Sequence, residues 1–589
     1  MNFGKRIIVA GLFVSMVCLP QTLLAKDKDH HDKDHGKDRG GYIAGDFHNH
    51  TAFTDGATSI DMLTDEAVGE FGLDWFVQSG HGGGWSRDGR YDDWNYDCGA
   101  DGEGVNWEDS GVVIKGDSAG TGYCGKLNMW RWQSLMEYAY PTTKAKYVQY
   151  QKPIIQGYEF EVPGHEHCSH ANITGQFDAG NADALAQFEY LFNYTDKDMS
   201  GGAGWPGKIA NIPNGPGAGG IMHEKAVAAV EWLQAKYPTT SYVVWAHIER
   251  KGAFDPDKAY STGYNVEHFR DFNNAGPDVA FGFEGEPGHQ ASGSRGGFGG
   301  GAFGGGTYGG VGYYSATIGN IWDALLGEGR NWWYYGSSDW HNRGSFLPTD
   351  VESTNDFWPG EFQKTYIYVD NTRHPKPQDI IDGLRSGNAY VVQGDLIEDL
   401  QFTAKAKNKT ATMGQKLQVK AGEKVQIKIK VRDPKGPNNC PYTFYNPSLE
   451  QVGLYQPLNE PVLDHIDMIA GEVTGKIDPA DPNYKNPENP TAGVIARFER
   501  QGGPDKNGYM TYVYHFKADK SMYFRLRGTN MPVNTPNETD PEGNPLPDTM
   551  AGNIACDNCP PHVAEKVNYD VEAWSDLWFT SNPIFVMVH

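Results

Sequence analysis

The stretch GDFHNHTAFTDG, residues 45–56, carries two histidines two positions apart and an aspartate five residues further on. Side chains at positions i and i+2 of a strand lie on the same face, so His48 and His50 can converge on one point. Asp55 follows where the extended segment enters a turn. Two imidazoles and a carboxylate are suited to bind a transition-metal ion. The pair alone is weak evidence, because two histidines on a polar strand face are common.

Other predicted strands also end in metal-binding residue types. Short apolar runs followed by histidine or carboxylate residues recur between residues 42 and 395. Together they give nine candidate metal ligands: His48, His50, Asp55, His81, Glu159, His170, His247, Asp339 and His341. Imidazoles and carboxylates suit Zn²⁺, Mn²⁺ or Fe, and nine donors exceed what one ion can use. The pattern therefore predicts two or three divalent metal ions with a bridging carboxylate.

Helix-compatible segments separate several of these strands, at residues 60–72, 224–237 and 319–330. Strand alternating with helix predicts an α/β fold with a parallel sheet, and the number of repeats indicates a closed or nearly closed barrel. In such barrels the chemistry lies at the C-terminal ends of the strands, where the candidate ligands fall. Three long insertions interrupt the pattern, at residues 82–150, 176–222 and 290–315.

The insertions raise two further expectations. The third contains a glycine-rich tract, which we expect to be a mobile surface loop, with a lid as the alternative. Tryptophans of the first insertion either stack on a base or sugar of the substrate or pack among themselves: Trp85, Trp94, Trp107, Trp130 and Trp132.

The order of the motifs resembles the polymerase and histidinol phosphatase (PHP) superfamily. The resemblance covers residues 42–395 and rests on HxH with a following Asp, a His after the second strand, GYE, a later HxN, AH after an apolar strand, and SSDWH. It implies a distorted (β/α)₇ barrel that holds up to three metal ions. It also implies three ligand sets: His48, His50, Glu159 and Asp339 for one ion, Asp55, His81 and His341 for a second, and Glu159, His170 and His247 for a third.

The sequence departs from the family pattern at the second motif. Gly80 replaces the usual carboxylate before His81, so a partner for this histidine is missing or is supplied from elsewhere. The fifth motif, usually HP, reads His247-Ile248 here. Glu159 is preferred over Glu161 as the bridging ligand because of its position in GYE.

Four further residues have no clear place in the pattern. Glu284 and His289 either face the substrate near the metals or, for Glu284, cap a strand end. Of His165 and His167, we expect at most one near the site.

The ligand set and the resemblance together predict an enzyme, a metal-dependent hydrolase that uses metal-bound hydroxide, and we favour phosphoester hydrolysis. Glu159 and Asp339 are the candidate catalytic carboxylates. Arg250 and Arg343 follow ligand motifs and could grip phosphate oxygens, or they form salt bridges with surface carboxylates. Two other functions stay open. The same metals could cleave a C–N or carboxylic ester bond, or a non-catalytic surface module could use metals only for folding while it binds a glycan or protein.

The N-terminal residues predict export. Residues 1–25 resemble a secretory signal, with Lys5 and Arg6 before an apolar run and a cleavage site before Lys26. We expect a periplasmic or extracellular location and no membrane span. Residues 26–41 are rich in charge and histidine and are expected to be disordered, as a spacer or as a weak metal scavenger.

Export permits disulfides. Six cysteines lie beyond the signal, and we expect Cys98 to pair with Cys124, and Cys440 with Cys556 or Cys559. A zinc knuckle or redox pair at residues 556–559 is the alternative, but no second CxxC exists.

The length and net charge of the chain indicate the number of domains and the kind of partner. A chain of 589 residues predicts two or more domains. Short alternating strands after residue 395 predict a separate β-sandwich at residues 396–589. The net charge of −25 argues against nucleic acid as a stable partner. Bound metal ions reverse the local potential, so the expected partner is a small, anionic substrate. Nothing in the sequence indicates the oligomeric state.

Overall fold

The structure is a computed structural model of the chain. It describes residues 40–84, 86–90, 107, 108, 110–117, 119, 126–200, 203–209, 219–258, 261–292, 295–298, 302–342, 356–500, 503–557, 559 and 570–589. The predicted signal and nearly all of the charged segment after it lie outside the described residues. No helix among the described residues is long and apolar enough to cross a membrane.

Strands and helices alternate through the first two thirds of the chain. The strands are β1 (Gly41–Asp46), β2 (Trp75–Gln78), β3 (Ile154–Glu161), β4 (His167–Asn172), β5 (Ser241–Trp245), β6 (Ala280–Glu286), β7 (Thr307–Tyr308), β8 (Val311–Gly312), β9 (Trp333–Gly336), β10 (Gln363–Val369) and β11 (Ala389–Gln393). The helices are α1 (Ile60–Thr64), α2 (Arg131–Ser134), α3 (Tyr140–Tyr150), α4 (Asp183–Phe192), α5 (Gly219–Lys236), α6 (Val266–Ala275), α7 (Tyr313–Ala316), α8 (Ile321–Gly327) and α9 (Pro377–Ser386). Helix α1 continues into a π-helical segment, Asp65–Glu70, and a second one, Leu135–Ala139, joins α2 to α3.

All of these strands except β7 and β8, which pair with each other, form part of one large mixed sheet, so the predicted α/β class is confirmed. Within it, neighbours follow the order β1-β2-β3-β4-β5-β6-β9. The pairs β1/β2, β2/β3, β5/β6 and β6/β9 are parallel. Strand β4 runs antiparallel to both β3 and β5. Parallel neighbours bring their C-terminal ends to the same edge of the sheet, where the candidate ligands follow.

The segments that follow β1 and β9 also meet. Asn49 forms an isolated parallel bridge with Trp340. The backbone N–H of His50 donates to Trp340 O at 2.7 Å, and that of Asp339 donates to His48 O at 2.8 Å. The first and last members of the seven-strand order are therefore adjacent at the end that carries the polar residues.

The last third of the chain is rich in strands. They are β12 (Asp399–Ala406), β13 (Lys409–Thr412), β14 (Lys416–Val419), β15 (Glu423–Arg432), β16 (His465–Glu472), β17 (Gly493–Glu499), β18 (Tyr509–Ala518), β19 (Met522–Thr529), β20 (Trp578–Ser581) and β21 (Ile584–Val588), with the short helices α10 (Pro447–Glu450) and α11 (Asp570–Ser575). Four of them form a separate sheet in the order β13-β12-β15-β18. The others extend the large sheet, since β20 pairs with β11 and β11 with β10. The predicted separation at residue 395 stays a prediction.

The four-stranded sheet packs on the extension of the large one. Strand β15, EKVQIKIKVR, alternates buried and outward residues, as a strand with one covered face should. Its Ile427 joins Phe402 of β12 in an apolar cluster with Ile466 of β16 and Leu526 of β19. A second apolar cluster lies between the helices and the strands of residues 41–393 and includes Ile155 of β3 and Phe281 of β6.

Part of the glycine-rich insertion is packed, in contrast to the expected surface loop, whereas residues 303–305 are exposed. Its residues form the β7/β8 hairpin, in which Val311 is buried. The backbone N–H groups of Gly309 and Gly310 donate to the buried carboxylate of Asp548 at 2.7 and 3.0 Å. Glycine has no side chain to block this close approach of the backbone to a carboxylate. The backbone of the tract is therefore hydrogen-bonded to a buried side chain of the protein.

The expected pairing of Cys440 is wrong. Cys556 forms a disulfide with Cys559, which leaves no partner for Cys440 at that motif. Cys440 and Cys168 are buried free thiols. The predicted Cys98–Cys124 pair lies outside the described residues.

Candidate metal centre

A buried carboxylate on β3 is surrounded by imidazoles. Glu159 is fully buried. Five histidine nitrogens lie between 2.7 and 3.3 Å from its two oxygens. They belong to the following residues: His48, His50, His81, His167 and His247. One carboxylate therefore contacts side chains from the ends of several different strands.

A second carboxylate, Asp339, stands three residues beyond β9. Its Oδ1 is 3.1 Å from Nε2 of both His48 and His50. Its Oδ2 is 2.8 Å from His289 Nε2 and 3.3 Å from His247 Nε2. The histidines that face Glu159 thus also face Asp339, and both carboxylates belong to one cluster.

Asp55 lies at the more open side of the cluster. Its side chain is 24 % exposed, whereas that of Glu159 is fully buried. Its oxygens are 2.9 Å from His50 Nδ1, 3.2 Å from His81 Nε2 and 3.4 Å from His341 Nε2. Asp55 and His341 therefore lie at a solvent-exposed side of the cluster.

The cluster fits the predicted metal ions. Donor atoms about 2.0–2.2 Å from one ion lie roughly 2.9–3.5 Å from each other, and most separations here fall in that range. The compact donor groups are His48, His50, Glu159 and Asp339; His50, Asp55, His81 and His341; His81, Glu159 and His167; and His289, Asp339 and His341. Among the described residues, Glu159 Oε2 and both oxygens of Asp339 are buried without a hydrogen bond of acceptable geometry. Buried carboxylate oxygens in this condition are costly unless a cation binds them.

Acceptors on the outer side of the rings orient several of these histidines. His48 Nδ1 donates to both oxygens of Glu284 at 3.0 Å, and Ser169 Oγ donates to Glu284 at 2.8 Å. His289 Nδ1 donates to Asp356. With the outer nitrogen protonated, the inner Nε2 of a neutral ring keeps its lone pair for a metal. Glu284 therefore positions His48, a candidate ligand, which is neither of the two roles considered for it from the sequence.

Charge in the cluster is balanced between acids and bases. Burial alone would lower the pKa of His50, but Asp55, Asp339 and Glu159 outweigh it and raise the pKa to about 10. Burial raises the pKa of Glu159, and the nearby imidazoles His167, His81 and His48 reverse this to hold it well below its usual value. Metal ions that bind here must displace protons from these rings, so binding weakens as the pH falls.

Three members of the cluster have strained backbone. His247, His289 and Asp339 have φ angles of 53°, 55° and 45°, in the left-handed region that residues with a Cβ avoid. Each such residue costs about 1–3 kcal/mol, and residues of this kind concentrate at functional sites. A Cβ at Gly288 would lie 2.2 Å from Asp339 Cβ, so only glycine fits beside this carboxylate.

The structure brings eight of the nine predicted ligands together, and His170 is the one left out. Strand β4 is antiparallel to β3 and pairs Glu159 with Ser169, Tyr158 with His170 and Glu161 with His167. Side chains alternate along a strand, so His170 lies on the face away from Glu159, where its Nδ1 bonds Tyr242 O at 2.7 Å. His167 takes the expected place, with Nδ1 2.7 Å from Glu159 Oε1.

The missing partner of His81 is supplied by neighbours. Besides Glu159 and Asp55, Oε1 of Glu161 lies 3.1 Å from His81 Nδ1. A side chain at Gly80 would collide with Thr54, whose Oγ1 would be 2.4 Å from the added Cβ. Thr54 thus occupies the space beside Gly80, and Glu161 of β3 supplies a carboxylate next to His81.

The two candidate arginines have different outcomes. Arg250 donates through Nε and Nη2 to Glu166 Oε2 at 3.2 and 2.7 Å. This is a salt bridge, as in its alternative role, but its partner is a buried carboxylate and not a surface one. The arginine still acts electrostatically on the cluster, because burial and then Arg250 lower the pKa of His247 to about 3. Arg343 lies outside the described residues.

The tryptophans of the first insertion serve packing where they are described. Trp107, Trp130 and Trp132 are all buried, so none of them is available to stack on a substrate. Trp85 and Trp94 lie outside the described residues.

No protein-family model matches this chain, and no curated protein matches it.

Proposed function

We propose that this protein is a multinuclear metal-dependent hydrolase with phosphoesters as its favoured substrates. The observation that carries the proposal is the pair of buried carboxylates, Glu159 and Asp339, which share the imidazoles of His48, His50 and His247. So many donors with unsatisfied buried oxygens are expensive to maintain for folding alone. Strained backbone at Asp339 and His247 supports a functional role for the same residues.

The proposal includes a PHP-like architecture. The seven-strand order and the bridge between Asn49 and Trp340 support a closed, distorted (β/α)₇ barrel. The motifs that resemble the PHP superfamily stand where such a barrel places its chemistry. We also propose that the chain is exported, on the strength of residues 1–25.

Divalent ions in this centre would lower the pKa of bound water and neutralise charge on the substrate oxygens. The protein's own groups hold these ions and shape their surroundings. Glu284 fixes the ring of His48, and Asp356 fixes that of His289. Asp55, at the exposed side, joins His50, His81 and His341 as a candidate ligand group. Arg250, held by Glu166 near the cluster, adds positive charge that suits an anionic substrate.

A substrate panel tests the proposal. The purified chain, stripped with a chelator and reloaded with Zn²⁺ or Mn²⁺, is assayed on nitrophenyl phosphomonoesters, phosphodiesters and carboxylic esters and on a nitroanilide. We expect phosphoester hydrolysis that a chelator abolishes and Asp339→Asn removes. Asp395→Asn is the matched control, because Asp395 also has a left-handed backbone, φ 51°, and lies outside the cluster.

The same assay separates the alternatives. Turnover of only the ester or the nitroanilide would favour the carboxylic esterase or amidohydrolase. Stoichiometric metal without turnover of any substrate would favour the non-catalytic binding module.

A further inference from the structure

A second histidine cluster lies outside the metal centre. It is formed by His165, in the turn between β3 and β4, His223 on α5 and His268 on α6. One nitrogen from each ring lies within 4.8 Å of the other two. The closest pair is His165 Nε2 and His223 Nδ1, at 2.8 Å. His165 and His268 are buried, and the side chain of His223 is 15 % exposed.

The hydrogen bonds on the outer sides of the two closest rings decide where their protons are. His165 Nδ1 faces the carbonyl oxygen of Gly263 at 2.9 Å, and His223 Nε2 faces Asp271 Oδ2 at 3.2 Å. A carbonyl and a carboxylate only accept, so these ring nitrogens carry the protons. In neutral rings the facing nitrogens, 2.8 Å apart, then both hold lone pairs. Two lone pairs pointing at each other in a buried place require a cation, either an extra proton or a metal ion.

The third ring, that of His268, lies beside this pair, with its centroid 4.5 Å from that of His165 and 4.7 Å from that of His223. The Nδ1 atom of His268 accepts a hydrogen bond from the backbone N–H of Asn265 at 3.0 Å. A metal ion bound at Nδ1 would replace this hydrogen bond, and a metal ion bound at Nε2 would replace the proton on Nε2. Three neutral imidazoles are ligands for Zn²⁺, and three-histidine sites leave one position open.

A cavity adjoins the cluster. Its volume is about 1140 Å³, and His223, His268 and Asp271 are among its lining residues. Asp271, which orients His223, is itself held by Tyr484 through a hydrogen bond of 2.7 Å. A metal bound by the three histidines is therefore within reach of solvent or a small ligand in this cavity.

We propose that His165, His223 and His268 form a second, mononuclear Zn²⁺ site, separate from the metal centre, with its remaining coordination position toward the cavity. Asp271 acts as a positioning residue that fixes His223, as carboxylates behind metal-bound histidines do. The site does not depend on the proposed hydrolase function.

The test is the zinc content of the full chain after removal of metal, reloading with ZnCl₂ and desalting. We expect His223→Gln and His268→Gln each to bind one Zn²⁺ fewer per chain than the wild type. Asp271→Asn is expected to weaken this one equivalent by roughly 10–100-fold. His374→Gln, which changes an exposed histidine, is the matched control and should leave the content unchanged. All variants keep the histidines of the N-terminal segment and of the metal centre, so their contribution cancels in the comparison.

His223→Gln carries the test, because this ring is the most accessible of the three and its loss disturbs packing least. An unchanged melting temperature, together with retention of the other bound ions, shows that the variant is folded. If folded His223→Gln binds as much Zn²⁺ as the wild type, the proposal is overturned and a shared proton explains the close nitrogens.

Discussion

Replacement of Glu159 by glutamine removes one negative charge from the middle of the metal centre and keeps the size of the side chain. Oε1 of Glu159 faces His48, His167 and His247, and Oε2 faces His50 and His81. In Glu159→Gln an amide nitrogen replaces one of these two oxygens. An amide nitrogen only donates hydrogen bonds, so that position can no longer bind a metal ion.

The size of the effect follows from the donor groups that contain Glu159. It belongs to two of them, one with His48, His50 and Asp339 and one with His81 and His167. Loss of a residue that only supports a ligand costs about 10–100-fold in metal affinity, so loss of a shared ligand should cost at least about 100-fold, or roughly 3 kcal/mol, at each ion. We therefore expect Glu159→Gln to lose up to two ions per chain, together with any hydrolytic activity.

Elemental analysis after desalting measures the ions, and the substrate panel measures turnover. Glu161→Gln is the control on the same face of the same strand, and its second oxygen is already engaged by Asn193 at 2.5 Å and Thr195 at 3.1 Å. It should lose less metal than Glu159→Gln. If Glu161→Gln lost metal and turnover while Glu159→Gln kept both, the bridging role would pass to Glu161 and the reasoning would be refuted.

Three further predictions concern other buried groups. His167→Gln should reduce metal content, whereas His170→Gln should not; equal metal loss in both would contradict the placement of these rings. Burial raises the pKa of Glu286 to about 8, despite Arg295, so its contribution to stability is complete below about pH 4.5 and is lost as the pH rises to about 8. Glu286→Gln should therefore be more stable than the wild type by roughly 5 kcal/mol at pH 9, with a gap that narrows toward pH 5, as thermal unfolding at both pH values will show. Cys440, a buried free thiol, should react with an alkylating reagent only after denaturation, and mass mapping that found it in a disulfide would contradict the structure.

Much of the metal centre could be predicted because its residues follow strand ends in parallel pairs. For such residues the sequence alone suffices: an apolar run shows where the strand lies, and the polar residue after it must stand at the common edge. His48, His50, His81 and Asp339 were found in this way.

The wrongly predicted ligands lie where the chain does not follow this parallel-strand pattern. Strand β4 is antiparallel, so its residues reach the centre from the start of the strand, where His167 lies, and not from the end. His167 and His170 lie in the same short motif, HCSH, and only the pairing of β4 with β3 shows which of them faces Glu159. The sequence suggests His289 as a substrate group near the metals and not as a ligand, because this residue follows a turn after β6 and its direction depends on its left-handed backbone. Local sequence patterns do not specify either feature.

The centre also depends on residues that are remote in sequence. The backbone N–H of Tyr334, on β9, donates to Asn582 Oδ1 at 2.7 Å, and Asn582 Nδ2 donates back to Tyr334 O at 3.2 Å. Strand β9 leads directly to Asp339, so a residue between β20 and β21 anchors the strand that presents a metal-binding carboxylate. The pairing of β20 with β11 and of β10 with β1 supports the strand before His48 from the same direction. The C-terminal strands therefore contribute to the position of both ends of the candidate metal centre, a role that their amino-acid pattern did not indicate.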